Sequence, residues 1–220
     1  MKTIEINERK VISQEREVHY RIYLPDGYED DADQSWPLVV FLHGAGQRGA
    51  DSAVLELHGP PKEAAAGRSF PFILLAPQCS EDTVWIMQKE LVMSLIGDIR
   101  QQYSVDAQRI YLTGLSMGGF GTWEIAMEHP DVFAAIMPVC GGGMSWRLNN
   151  LLDKPIWTFH GAKDTVVPIL YTDEMVRALK ALGNPAKYTV YPDAEHDCWT
   201  EVYRREDVYA WLLSHVNPNK

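Results

Sequence analysis

The sequence predicts an α/β protein: a mostly parallel central sheet with helices on both faces and an antiparallel ribbon at the N-terminal end. Three observations predict it. Short apolar runs alternate with segments of helical periodicity along nearly the whole chain, which is the pattern of strands joined by crossover helices. Trp36-Pro-Leu38-Val-Val-Phe-Leu42 and Phe72-Ile-Leu-Leu-Ala76 are continuously apolar, as strands buried on both faces are. Finally, the run Arg109-Ile-Tyr-Leu-Thr passes through Gly114-Leu-Ser116-Met-Gly118 directly into a helical pattern, so a buried strand reverses into a helix with almost no loop.

In chain order, Arg16 to Leu24 alternates apolar and polar residues, as an edge or half-buried strand does, and Pro25-Asp-Gly ends it with turn chemistry. Met1 to Ile12 is expected to pair with it as the antiparallel ribbon. The strand at 36–42 ends in the glycine-rich loop His43-Gly44-Ala45-Gly46-Gln47-Arg48-Gly49. Glu90 to Tyr103 carries apolar residues at 91, 92, 95, 96, 99 and 103, one helical stripe. The helix that follows Ser116 is expected to run from Met117 to His129 and to stop there, because His129 precedes Pro130 and is pushed out of the α region. Strands follow at Phe133–Cys140, Pro155–His160 and Lys187–Tyr191. An amphipathic helix covers Tyr171 to Leu182, closed by Gly183 and Pro185, and a last helix is expected over Tyr203 to His215.

The bulk properties narrow the function classes. At 220 residues, one domain over 1–220 is the economical reading. Hydrophobic residues are 46% and charged residues 23%, ordinary for a globular protein. A formal charge of −10 argues against nucleic acid or an anionic membrane as partner, since like charges repel at long range. No apolar run approaches the roughly 18 residues of a membrane span. The first ten residues lack the apolar core of a secretory signal, so the expectation is a cytoplasmic protein, or a secreted one if this is a processed or excised domain. Three cysteines, Cys79, Cys140 and Cys198, are too few for a disulfide scaffold and are read as mostly buried thiols. Cys140 and Cys198 lie on loops expected to converge, so a bond between them is the alternative.

The chemistry is concentrated where strands end. A strand that turns straight into a helix needs positions without a Cβ, and Gly114 and Gly118 supply them, leaving Ser116 at an exposed apex beside the first N–H groups of the helix. Ligand sites of such sheets lie beyond the C-terminal ends of the strands. There the chain carries Gly161-Ala-Lys-Asp164-Thr-Val-Val-Pro168 after one strand and Pro192-Asp-Ala-Glu195-His196-Asp197-Cys198-Trp199 after another. A serine hydroxyl needs a base to take its proton, and that base needs a carboxylate to fix its tautomer. Ser116, His196 and Asp164 meet those needs. His43 and His160 also end strands but are read as structural or loop-orienting. Asp193 is the rival to Asp164. Glu195 and Asp197 lie too close to His196 along the chain to reach its far side. Oxyanion donors are expected from the N–H of Met117 and of Ala45, with Gly46 as the rival. Trp85, Met87, Met144, Trp146 and Trp199 fall in loops able to line an acyl or aromatic pocket, the bland alternative being that they are core.

Together these segments, with Pro138-Val-Cys140-Gly-Gly-Gly143, resemble the serine esterases of the α/β-hydrolase superfamily. More narrowly they resemble its phospholipase/carboxylesterase and prolyl-oligopeptidase-like branch, which has polyhydroxybutyrate depolymerase-like and feruloyl or acetyl-xylan esterase-like members. The likeness spans about residues 16 to 215. It implies the α/β-hydrolase fold and a serine carboxylesterase that needs no metal or organic cofactor. The implied substrates are short-chain acyl esters, small-molecule or carbohydrate-linked, feruloyl and acetyl esters among them. A peptidase of the same fold and a non-catalytic binding protein are the alternatives. One departure bears on substrate size: the chain between Cys140 and Pro155 is too short for a large cap, which favours an open site.

Overall fold

The computed structural model describes residues 17–29 and 34–218. Its strands are β1 (Tyr20–Tyr23), β2 (Trp36–Leu42), β3 (Ile73–Pro77), β4 (Val105–Leu115), β5 (Ala135–Val139), β6 (Trp157–Gly161) and β7 (Lys187–Tyr191). Its α-helices are α1 (Gly59–Ala65), α2 (Lys89–Gln102), α3 (Met117–Glu128), α4 (Leu170–Ala181), α5 (Trp199–Val202) and α6 (Glu206–Leu213). The strands form one seven-stranded sheet in the order β1-β3-β2-β4-β5-β6-β7. Only β1, against β3, is antiparallel; every other pairing is parallel. The fold is that of the α/β-hydrolases. The expected partner of β1, Met1 to Ile12, lies outside the described residues.

The two faces of the sheet can be read from β2. Leu38, Val40 and Leu42 belong to one buried cluster, with Val92, Ile96 and Ile99 of α2, Trp123 of α3 and Leu179 of α4. Val39 and Phe41 belong to the other, with Val202 of α5 and Val208, Tyr209 and Leu212 of α6. Side chains alternate along a strand, so a strand covered on both faces has to be apolar at every position, and this one is.

The register decides where the chemistry goes. Leu42 pairs with Gly114, Leu115 with Val139, Val139 with Phe159 and Gly161 with Tyr191. Five strands therefore end at one edge, and the loops that leave them share it.

Two expectations need correction. The final helix does not run from Tyr203 to His215. It runs only from Glu206 to Leu213, because Arg205 is extended as the N-cap of α6, while Tyr203 before it caps α5 and places its hydroxyl in the core 2.8 Å from Thr113 Oγ1. The strand before Ser116 also begins earlier than its apolar run, at Val105, where a register shift against β2 accommodates residues 106–109. Between β5 and β6 the one helical element is the 3-10 helix Ser145–Leu151, so no large cap stands there. Among the described residues, no helix is long and apolar enough to cross a membrane.

Candidate active site

Ser116 sits between β4 and α3 with φ 53° and ψ −118°. That conformation is costly for a residue with a Cβ, on the order of 1–3 kcal/mol, and persists only if its surroundings enforce it. They do. The Ser116 N–H donates to Val139 O at 2.9 Å, and its carbonyl accepts from the Phe120 N–H at 3.1 Å. The flanking glycines are positions where a Cβ has no room, as the sequence suggests. Neither adopts a positive φ; both are needed for close approach. A Cβ on Gly118 would lie 1.9 Å from Leu42 O, and one on Gly114 would lie 2.5 Å from Gly118 O. The strand, the helix start and β2 are packed backbone to backbone, which leaves the serine side chain no direction but out of the sheet.

The loops after β6 and β7 meet that side chain. Ser116 Oγ lies 3.0 Å from His196 Nε2, and His196 Nδ1 lies 2.6 Å from Asp164 Oδ2. A carboxylate accepts from Nδ1–H, so Nε2 is left with its lone pair toward the serine hydroxyl. Asp164 is itself fixed, its Oδ1 accepting the N–H groups of Val166 at 2.9 Å and Val167 at 2.8 Å. Burial pushes the Asp164 carboxyl up, but the hydrogen bond from His196 and these two N–H groups outweigh it and hold the group below the usual carboxylate range.

The rivals fall away on position. Asp193 is exposed and paired with Lys163 at 2.7 Å. Asp197 accepts from the N–H and hydroxyl of Thr200. His43 is fully buried, takes the Cys79 N–H on Nε2 at 3.0 Å and donates from Nδ1 to Gly44 O at 2.6 Å. It is structural, and burial lowers it to about 4.

Met117 opens α3 and Ala45 opens the 3-10 turn Ala45–Gln47. N–H groups at such starts have no acceptor within their own helix. The loop that carries Ala45 runs against the serine turn: a Cβ on Gly44 would lie 3.7 Å from Ser116 Cβ. Gly46 shares the exposed face of this turn with Ala45.

The pocket candidates separate. Trp85 is fully buried, donates its indole N–H to His43 O at 2.9 Å and fills the notch above Gly121, where a Cβ would meet it at 2.5 Å. It is a core anchor. Trp199 does reach the site, its ring edge-on to His196 with centroids 5.0 Å apart. Met144 and Trp146 are 40% and 74% exposed, on a turn fastened to α3. There Glu124 accepts the Met144 N–H and pairs with Arg147, which also bonds Glu128 at 2.6 Å. Met87 is exposed as well.

Cys140 and Cys198 do converge. All three cysteines are free thiols, yet the Sγ atoms of Cys140 and Cys198 lie 3.1 Å apart and Cys140 donates to His196 O at 3.3 Å. The neighbouring Cys140 sulfur, then burial, raise the Cys198 thiol, so the pair acts as a neutral brace beneath the histidine loop.

Residues 77–210 match the dienelactone hydrolase family. Among curated proteins, the chain is 30% identical over 135 residues to the poly(3-hydroxyalkanoate) depolymerase C of Paucimonas lemoignei, covering 54% of this chain and 30% of that protein. It is 30% identical over 90 residues to the bifunctional acetylxylan esterase/xylanase XynS20E of Neocallimastix patriciarum, covering 41% of this chain and 12% of that protein. This chain thus spans less than a third of the length of either. Among solved structures, a thermostable esterase superposes with TM-score 0.77 at 33% identity, over 90% of this chain and 59% of that one. A ferulic acid esterase superposes with TM-score 0.69 over 90% of both chains; at 19% identity it shares the fold.

Proposed function

The chain belongs to the dienelactone hydrolase family, and from that premise we propose that it is a serine carboxylesterase acting on short-chain acyl esters, with acetyl and feruloyl esters of carbohydrates as the natural class. That it is a hydrolase follows from the family and from its esterase neighbours. The observation that carries the finer reading is the hydrogen-bonded row Ser116 Oγ, His196 Nε2, His196 Nδ1, Asp164 Oδ2.

In this reading His196 takes the Ser116 proton as the oxygen attacks the ester carbonyl, and Asp164 stabilises the imidazolium. The N–H groups of Met117 and Ala45 receive the oxyanion. His196 then protonates the leaving alcohol, and water activated by the same nitrogen releases the acid. No step calls for a metal or organic cofactor. Short acyl groups are favoured by the open surroundings: the turn after β5 is a single 3-10 helix, and the aromatic beside the base, Trp199, is packed in place. The relatives named for acetylxylan and poly(3-hydroxyalkanoate) ester chemistry favour the same bond type.

The test is a panel of p-nitrophenyl esters from about two to twelve acyl carbons, chosen to probe pocket depth, with methyl ferulate, acetylated xylan and a proline p-nitroanilide added. Turnover is expected to fall steeply beyond the short chains, to persist on the two carbohydrate-type esters and to vanish on the anilide. A preference for long chains overturns the substrate class. Replacing Ser116 with Ala is expected to cost about 10³–10⁶-fold in kcat with the fold intact, and unchanged hydrolysis removes Ser116 from the mechanism.

A further inference from the structure

His160 ends β6 and is fully buried. It touches three groups. Its Nδ1 lies 2.7 Å from Thr172 Oγ1, and its Nε2 lies 2.8 Å from Val167 O and 3.2 Å from Asp164 Oδ2. Thr172, on α4, in turn donates its hydroxyl to Gly141 O at 2.6 Å.

Counting protons fixes the ring. Thr172 has one hydroxyl proton, and Gly141 O, a carbonyl, has none to give. That proton therefore lies between Thr172 and Gly141. The 2.7 Å contact to Nδ1 then needs a proton on Nδ1. At the other nitrogen both neighbours, Val167 O and an Asp164 carboxylate oxygen, are acceptors, so Nε2 needs a proton too. Either neutral tautomer would leave a lone pair facing a lone pair inside hydrogen-bond distance, in a place water does not reach, and such an unpaired buried contact is costly.

We propose that His160 is held as an imidazolium beneath Asp164, and that it is a positioning residue which fixes this carboxylate and offsets part of the negative charge that His196 faces. The inference rests on the reading of Ser116, His196 and Asp164 as one catalytic row. Asp164 then sits between two imidazoles and accepts four donors, His196 Nδ1, His160 Nε2 and the N–H groups of Val166 and Val167. With every lone pair engaged, its charge is compensated by a buried partner, the condition under which an interior ion pair is tolerated. Both side chains are fully enclosed.

The electrostatic consequence is directional. A carboxylate facing one imidazole favours that imidazole's charged form. A fixed cation on its other side weakens the effect. The other ionisable groups on the packed elements are the Cys140 and Cys198 thiols beside His196 and the Tyr188–Asp173 pair, bonded at 2.8 Å between β7 and α4. Among the described residues, Asp164 is the one carboxylate within ion-pair reach of His160.

Two measurements test this. In the wild-type protein, ¹⁵N-labelled at histidine and assigned against a His160→Gln variant, the ring at 160 is expected to show N–H signals on both nitrogens at neutral pH; a bare ring nitrogen overturns the proposal, whatever the activity. The acid limb of kcat/KM on p-nitrophenyl acetate is then compared across variants. In Thr172→Val, which removes the acceptor at Nδ1, the midpoint is expected to move up by about one pH unit, with Thr172→Ser retaining the wild-type midpoint. The same upward move is expected in His160→Gln if it folds. A midpoint unmoved in Thr172→Val overturns the charge coupling, because a purely structural role for this contact would alter stability and leave the limb in place. The nuclear-spin readout needs no turnover, so failure here is separable from failure of the esterase reading, which the Ser116→Ala variant tests.

Discussion

Mild acid should loosen this fold before most of its carboxylates protonate, and His43 is the group responsible. Its Nε2 accepts the Cys79 N–H at 3.0 Å, its Nδ1 donates to Gly44 O at 2.6 Å, and its ring packs edge-on to Trp85 with centroids 5.0 Å apart. A proton on Nε2 would face the Cys79 N–H in a site without water. Burial, helped by Arg48 and opposed by the hydrogen bond to Gly44, therefore lowers the group from 6.5 to about 4. The folded value lies below the unfolded one, so the fold is favoured by the neutral ring. That contribution is complete above about pH 6.5, declines as pH falls toward about 4, and changes no further below it. At about 1.4 kcal/mol per pH unit, the loss across that window is about 3 kcal/mol. Urea unfolding followed by tryptophan fluorescence, in steps from about pH 7 to about pH 4, measures it against a His43→Gln variant that cannot titrate there. Carboxylates protonate in both proteins and cancel in the difference. The wild-type advantage is expected to shrink by about 3 kcal/mol as pH falls. A difference that stays constant across the window would refute the placement of His43 as a neutral buried ring.

Gly118→Ala should be the most damaging single-methyl change in the turn, because its Cβ would lie 1.9 Å from Leu42 O, a backbone atom that cannot swing aside. A loss of about 3 kcal/mol or more is expected in urea unfolding, and wild-type stability would mean that β2 and α3 are not packed as described. Trp85→Phe separates core from pocket. Removing the indole N–H that bonds His43 O should cost about 1–3 kcal/mol of stability and leave KM for p-nitrophenyl acetate unchanged. A raised KM with unchanged stability would return Trp85 to the substrate.

What the sequence made legible was whatever depends on order along the chain. The buried strands were legible because a strand covered on both faces is apolar at every position, as 38–42 is. The candidate site was legible because it lies at strand ends, and strand ends are marked by glycine, proline and acid-rich loops. Contacts between segments far apart along the chain left no such mark. Trp85 and Trp199 each open a short helical turn, yet one turns into the notch above Gly121 and the other against His196, and local pattern does not distinguish them. The break in the last helix was hidden for the same reason. Residues 203–212 keep an apolar spacing, while Tyr203 bonds Thr113, on a strand far away along the chain, and Arg205 is extended before α6. The contact of His160 with Thr172 on α4 leaves no mark in the local pattern for the same reason.

Among the described non-glycine residues, only two have positive φ, Ser116 at 53° and Cys140 at 51°. They are neighbours in space as well as in kind. Ser116 N–H donates to Val139 O and Cys140 N–H donates to Phe159 O, each at 2.9 Å, so the ladder continues across β4, β5 and β6 just as the chain turns out of each strand. At 116 the strain aims a hydroxyl out of the sheet. At 140 it aims a thiol at the carbonyl of His196 and at Cys198. Glycine would relieve the backbone at either position, and at either it would delete the side chain that the turn presents. The cost at Cys140 is intelligible if the histidine loop needs support from below. His196 is itself half-buried and follows a turn in which Pro192 and Asp193 are exposed. The sheet thus spends strain twice at one edge, once to present the Ser116 hydroxyl and once to brace the His196 ring 3.0 Å from it.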